Sequence, residues 1–470
     1  MNIEQIYTGC LAQGAYYIES EGEVAIIDPL REVAPYIKRA ERDNAKIKYI
    51  FETHFHADFV SGHVTLAEKT GAEIVYGPTA KTDFDSHIAT DGEIFQLGKV
   101  QIKALHTPGH TMESTTYLLL DENGKEEAIF TGDTLFLGDV GRPDLAQKSN
   151  EITQEDLAGI LYDSLRTKIM PLPNETTVYP AHGAGSACGK NMMAETVDTL
   201  GNQKQMNYAL RADMTKAEFI EEVTDGLLPP PAYFPLNVAM NKKGYESIDI
   251  ILEAGAKPLN PTEFEQTANA TEALVLDVRT EKDFAKSHIP SSIFIGLDGT
   301  FAPWVGQLIV DVKKPILLVV EEENEEEAVT RLARVGFDST IGFLNGGIEA
   351  WKKAGKETDS INSISPAQFA EEIKSNELEI IDVRREGEFD AEHIENALNL
   401  PLNKINQHLN AFPKEGNFYI HCAGGYRSVI ASSILKSRGI HNMINVEEGF
   451  DVIRETDVPK IVFVCPSTLA

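Results

Sequence analysis

The chain has 470 residues, 42 % apolar and 24 % charged, with a formal net charge of −31. That length exceeds what one hydrophobic core can serve, so roughly two to four domains are expected. The acidic balance excludes nucleic acid and anionic membrane surfaces as partners. No window nears the roughly 18 uninterrupted apolar residues of a membrane-spanning helix. The opening Met1-Asn2-Ile3-Glu4-Gln5 lacks the basic and then apolar pattern of an export signal. Cys10, Cys188, Cys422 and Cys465 show neither disulfide-framework nor zinc-ribbon spacing. A reducing cytoplasm is therefore the expected location.

The first half reads as short strands, at Glu23–Asp28, Lys48–Glu52, Glu73–Tyr76, Tyr117–Leu120 and Ala128–Phe130, separated by turn residues and helix-compatible stretches. This pattern predicts a sandwich of sheets flanked by helices. The second of these strands leads into Glu52-Thr53-His54-Phe55-His56-Ala57-Asp58, where three potential metal ligands occupy alternate positions just past a strand end. Further candidates follow later strand-like runs: His110 in Thr107-Pro-Gly-His-Thr111, Asp133 in Phe130-Thr-Gly-Asp-Thr134, and His182 in Tyr179-Pro-Ala-His-Gly183. One such residue in a loop reads as solvated or as a helix cap. The set together, each beside a Gly or Pro that re-aims the backbone, reads as a metal constellation.

A proline-rich stretch, Leu228-Pro-Pro-Pro-Ala-Tyr-Phe-Pro235, followed by Lys242-Lys-Gly244, reads as the start of a linker, with a domain boundary within 240–260. Beyond it the sequence repeats itself. Asn260-Pro-Thr-Glu-Phe264 matches Ser365-Pro-Ala-Gln-Phe369, Leu276-Asp-Val-Arg279 matches Ile381-Asp-Val-Arg384, and Ser287-His-Ile289 matches Glu392-His-Ile394, all at one constant offset. Two copies of one domain follow, each alternating short β-rich runs with helical patterns, which predicts parallel sheets covered by helices. The expected domains are 1–245, 246–358 and 359–470.

In the second copy, strand Asn417–His421 delivers Cys422-Ala-Gly-Gly-Tyr-Arg427-Ser428 and then a helix. Gly424 and Gly425 let the loop curl so that backbone N–H groups converge. The helix start, Arg427 and Ser428 make an anion cradle around the thiol. The first copy has Val319-Val-Glu-Glu-Glu-Asn-Glu-Glu-Glu327 at that place and no cysteine. Its run of carboxylates reads as a solvated face, and the copy as an inactive structural spacer.

On the His-x-His-x-Asp motif and the single His, Asp and His that follow, the first half resembles the metallo-β-lactamase superfamily, which implies an αββα sandwich with metal between the sheets. Two-metal hydrolases of that superfamily place a histidine after the motif's aspartate; Phe59 stands there instead and cannot ligate. Gly141-Arg-Pro-Asp-Leu145 resembles a segment of the persulfide dioxygenases (sulfur dioxygenases). The resemblance implies His54, His110 and Asp133 as ligands of one Fe(II) per chain, with zinc the less favoured metal. His56, Asp58 and His182 would stand beside the metal without binding it. Arg142 is a candidate substrate clamp, with an Arg142–Asp144 structural pair as the competing reading. Cys188, in the loop after His182, is a candidate sulfur relay or simply a buried residue.

The repeats resemble rhodaneses, the spacing from Cys422 to Arg427 being that of a rhodanese loop and one residue shorter than in similar phosphatases. The implied function is oxidation of a low-molecular-weight thiol persulfide by O2 to sulfite in a sulfide-detoxifying enzyme. Rhodanese transfer through a persulfide on Cys422 would make or use thiosulfate. The alternatives are a glyoxalase II-like thioester hydrolase and a non-enzymatic sulfane-sulfur carrier or sensor. A homo-oligomer is compatible with the sequence.

Overall fold

The computed structural model describes residues 1–147, 151–227 and 229–463; Leu228, at the head of the proline-rich stretch, and Cys465 lie outside them. The chain divides into two compact units, residues 1–248 with 333–336, and residues 249–332 with 337 onward. Among the described residues no helix is long and apolar enough to cross a membrane.

The first unit holds two six-stranded sheets, and in each the strands lie side by side in chain order. One sheet starts with Asn2–Thr8, Gln13–Ser20 and Glu23–Ile27 in antiparallel pairing. It then adds Lys46–Phe51, Glu73–Tyr76 and His87–Ile88 in parallel. The other runs from Ile94–Leu97 through Val100–His106, Thr115–Leu120, Glu126–Gly132 and Thr177–Pro180 to Asp198–Thr199.

The two-residue period of a strand sorts its side chains between layers. Tyr117 and Leu119 enter the core between the sheets with Tyr16, Ile18, Phe51 and Phe130. Leu118 faces outward with Ile129 and Val178, against Leu161 and Phe219 of the helices Gln154–Ser164 and Lys216–Thr224. On the far side, Tyr17, Ile26 and Ile50 pack against Tyr36 and Leu66 of the helices Ala34–Arg42 and His63–Thr70. The layers are helix, sheet, sheet, helix, as the strand pattern predicts.

In the second unit each copy is a five-stranded, wholly parallel sheet. The spatial order is the same in both: Pro258–Leu259, Thr340–Leu344, Ile316–Val319, Leu274–Asp277, Ile293–Phe294, and then Ser363–Ile364, Met443–Val446, Phe418–His421, Ile380–Asp382, Leu398–Asn399. The repeated sequence motifs are the parts that build this frame. Asn260 and Ser365 cap helices that open with Pro261 and Pro366, and Glu263 and Gln368 reach back to the cap N–H at 3.0 Å. Asp277 and Asp382 each bind the arginine two residues on through both oxygens. Those arginines, Arg279 and Arg384, also donate to the carbonyls of Ser287 and Glu392.

The stretch read as a linker is a correction. Phe234–Lys243 is a helix with its proline in the first turn, and Asn241 on it is fully buried. Its amide donates to the carbonyls of His56 and Phe59, both at 2.9 Å, and its oxygen accepts from Ser61 N–H at 2.9 Å. Local composition signalled flexibility, but a single buried amide makes this segment the prop of the His54–Asp58 loop. Asn241→Ala would leave two buried carbonyls and one N–H unpaired. It should lower the stability of the first unit by about 1–3 kcal/mol, read from urea unfolding; an unchanged midpoint would mean the loop does not depend on that helix.

Candidate functional site

His54, Asp133 and His110 arrive from strand ends of the two different sheets: Lys46–Phe51 for His54, Val100–His106 for His110 and Glu126–Gly132 for Asp133. One ligand atom of each lies within 4.8 Å of the others, and all three residues are buried. His110 Nε2 is 3.4 Å and His54 Nε2 3.9 Å from Asp133 Oδ2. Each ring has its other nitrogen engaged. Thr53 gives its hydroxyl proton to Asp28 Oδ2 at 2.8 Å, so its oxygen is free to accept from His54 Nδ1 at 3.0 Å. His110 Nδ1 donates to the carbonyl of Arg142 at 2.9 Å. Both imidazoles therefore turn a bare Nε2 to the same point.

Burial, reinforced by the neighbouring histidines, holds His54 well below the ordinary imidazole range, in its neutral, ligating form. Asp133 is buried with neither oxygen receiving a hydrogen bond of ordinary geometry. A buried carboxylate left this way, facing two bare imidazole nitrogens, fits a divalent cation. Backbone clearance matters here too. Gly132 sits at φ +52, and a Cβ on Gly141 would fall 2.0 Å from the Asp133 carbonyl and 2.9 Å from His110 Nδ1.

The other motif residues gather beside this triad. His182 Nε2 lies 3.3 Å from Asp58 Oδ2 and 3.6 Å from Asp133 Oδ1. His56 lies 3.0 Å from Asp28 Oδ1 with its ring 4.2 Å from that of His54, and it groups with Asp58 and His182 as a second set of possible ligands within 4.8 Å of one another. Burial opposes a charged His56, but the carboxylates of Asp28, Glu52 and Asp58 outweigh it and push the ring up to about 9. Phe59 is fully buried, its ring 4.3 Å from that of His56. Cys188 is buried beside Asp133 and His182, and burial followed by the charges of Asp133 and Asp58 raises its thiol well above the ordinary value.

Arg142 makes a two-pronged pair with Asp144, at 2.6 and 2.7 Å, and a longer bond to the Ala187 carbonyl. Its connection to the triad is its own carbonyl, which orients His110. Sequence reading missed Asp28, Thr53 and Asn241. It also missed Tyr233, whose hydroxyl is raised first by burial and then by Asp58 and Cys188. Of these, only Thr53 lay inside a motif that drew attention.

In the second copy Cys422 is buried at the end of strand Phe418–His421. Gly425, at φ +94, begins the helix Tyr426–Ser437, and its N–H points at Cys422 Sγ from 3.1 Å. Ser428 Oγ stands 3.7 Å from the same sulfur. Arg427 is committed to Glu388 through two bonds of 2.6 and 2.7 Å. A cavity of about 700 Å³ opens at Cys422, and Glu281, Asp298 and Trp304 of the first copy line it together with Arg385, Glu388 and Arg427 of the second. The expectation of a mere spacer is thus corrected, because the copy without a cysteine supplies part of the wall around the cysteine of the other. In that first copy the acidic run starts the helix Glu325–Arg334 and is exposed but for Asn324 and Glu325, with its carboxylates favourably placed at the positive end of the helix.

The metallo-beta-lactamase superfamily model matches residues 8–182, and the rhodanese-like domain model matches 260–354 and 365–456. A probable hydroxyacylglutathione hydrolase of Schizosaccharomyces pombe is 30 % identical over 216 residues, 41 % of this chain and 79 % of the relative. The chain belongs to the metallo-beta-lactamase superfamily. It continues into two rhodanese-like domains. The human mitochondrial persulfide dioxygenase ETHE1 is 28 % identical over 223 residues, 47 % of this chain and 79 % of that protein. A crystal structure of a metallo-beta-lactamase from Staphylococcus aureus superposes with TM-score 0.66 at 30 % identity, covering 73 % of this chain and 98 % of that one.

Thr53→Val removes the hydroxyl between Asp28 and His54 without changing side-chain size. Metal affinity should fall about 10- to 100-fold, measured by competition with a chelator; an unchanged affinity would dismiss the Asp28–Thr53–His54 relay.

Proposed function

We propose that the first unit oxidises a low-molecular-weight thiol persulfide with O2, releasing sulfite and the free thiol, and that Cys422 then carries sulfane sulfur as its own persulfide. Passing that sulfur to sulfite gives thiosulfate, and the reverse transfer uses it. The observation that carries this reading is the donor set of His54, His110 and Asp133, with Phe59 in place of a further imidazole. One iron held by two imidazoles and a carboxylate keeps positions open for a sulfur donor and dioxygen.

The protein's own residues supply the rest. Thr53 and the Arg142 carbonyl fix the two rings, and Asp28 stands 3.0 Å from His56. Asp58 and His182, 3.3 Å apart, can hold or pass a proton next to Asp133. Cys188, grouped with Asp133 and His182 within 4.8 Å, is the candidate sulfur relay. In the second copy the Gly425 N–H and the helix start stabilise negative charge on the sulfur of Cys422.

A second reading has two observations in its favour, the first being that the hydroxyacylglutathione hydrolase relative is as similar as the persulfide dioxygenase. The second is geometric: that chemistry uses paired metals, and His56, Asp58 and His182 place one ligand atom each within 4.8 Å of one another.

Metal analysis of anaerobically purified protein should find about one iron per chain. Two metals per chain together with thioester hydrolysis would overturn the assignment. Asp133→Ala should abolish oxygen uptake on thiol persulfides and leave sulfur transfer to cyanide near the parental rate; equal loss of both would contradict separate centres. Cys422→Ser should still consume oxygen while the product shifts from thiosulfate toward sulfite, since a hydroxyl cannot carry sulfane sulfur. Undiminished enzymatic thiosulfate formation by that variant would move the carrier role elsewhere.

A further inference from the structure

The cavity at Cys422 has a charge pattern that does not suit the smallest sulfur substrates. Three carboxylates line it, from Glu281 and Asp298 of the first copy and Glu388 of the second, against two guanidinium groups, from Arg385 and Arg427. Arg427 is already bound at both prongs by Glu388. Asp298 is exposed and Glu281 partly so, and among the described residues neither has an ion-pair partner. Their charges reach Tyr426, whose hydroxyl they push further up after burial has raised it. Trp304, half-buried, lines the same cavity. Tyr426 closes the wall by donating to the Gly296 carbonyl at 2.9 Å, so the first copy is fixed against the loop that carries the thiol.

We propose that this wall is an ammonium subsite, and that the sulfur donor for Cys422 is a thiol persulfide whose carrier bears a protonated amine. The proposal rests on the reading of Cys422 as a sulfur carrier and adds the class of donor to it. Two unpaired carboxylates and an indole in one wall are the groups that bind an alkylammonium, by Coulomb attraction and by contact with the ring face. With Glu388 and Arg427 neutralising each other, a dianion such as thiosulfate meets the two carboxylates of Glu281 and Asp298 against the single guanidinium of Arg385. The cavity of about 700 Å³ is of the size that encloses a whole small-molecule carrier rather than an inorganic ion alone.

The transfer balances without an added oxidant or reductant. The Cys422 thiolate attacks the outer sulfur of R–S–SH, and the new S–S bond forms as the old one breaks. The electron pair leaves with the carrier as R–S⁻, and the proton stays on the transferred sulfur.

The test compares cysteine persulfide with N-acetylcysteine persulfide on the full-length protein under argon. The sulfur atom gained at Cys422 is followed by mass spectrometry of its peptide. The free-amine donor should react with the higher second-order rate constant, by about fivefold or more, and the ratio should shrink as salt is raised. In a Glu281→Gln, Asp298→Asn double variant, isosteric at two positions without partners, the ratio should fall to near one, while the acetylated donor reacts at the parental rate or faster. Equal rates for the two donors on the parental protein would overturn the proposal, as would a ratio that survives the double substitution. No sulfur on Cys422 from either donor would instead sink the carrier reading on which the proposal stands.

Discussion

One buried carboxylate holds the first unit's chemistry in place. Asp28 accepts from the Thr53 N–H and the Thr53 hydroxyl, each at 2.8 Å, and lies 3.0 Å from His56 Nε2. Through the Thr53 hydroxyl it sets the tautomer of His54, and it stands directly against His56, whose ring lies 4.2 Å from that of His54. An isolated buried charge is costly, and here the two Thr53 donors and the neighbouring His56 ring offset that cost. Asp28 follows strand Glu23–Ile27 with φ +50, a left-handed conformation that aspartate tolerates better than most residues.

The sequence showed the architecture well because periodicity and repetition are collective signals. Phe418–His421 falls within the predicted strand Asn417–His421, and the sandwich follows from strands such as Thr115–Leu120 whose alternate residues face two different cores. Triad and thiol loop were legible because several special residues fall together in short windows. What stayed hidden was whatever acts alone and from a distance. Asp28 reads as the last residue of a strand, and Asn241 follows a stretch whose prolines suggest a linker. The participation of Glu281 and Asp298 in the Cys422 cavity depends on how two domains meet, which no local pattern encodes.

The two rhodanese-like copies show which part of a motif is frame and which is function. Both keep the Asp–Val–Arg pair and its bond to a carbonyl across the turn. Both also stack a histidine on a phenylalanine, His288 on Phe284 and His393 on Phe389. These contacts serve the fold, so the first copy retains them. Only the loop after the central strand diverged, from a cradle of N–H groups to a run of glutamates.

The chain-order arrangement of the strands bears on how the first unit comes into being. Each sheet joins neighbours in sequence, so either can form from local pairings as the chain emerges during synthesis. The triad, however, takes His54 from one sheet and His110 and Asp133 from the other, and the first strands are tied to the end of the second sheet by the Tyr16 hydroxyl on the Pro180 carbonyl, at 2.6 Å. The centre is therefore completed only after both sheets exist and have closed on each other. A metal held by all three residues of the triad would act as a rivet between the two layers.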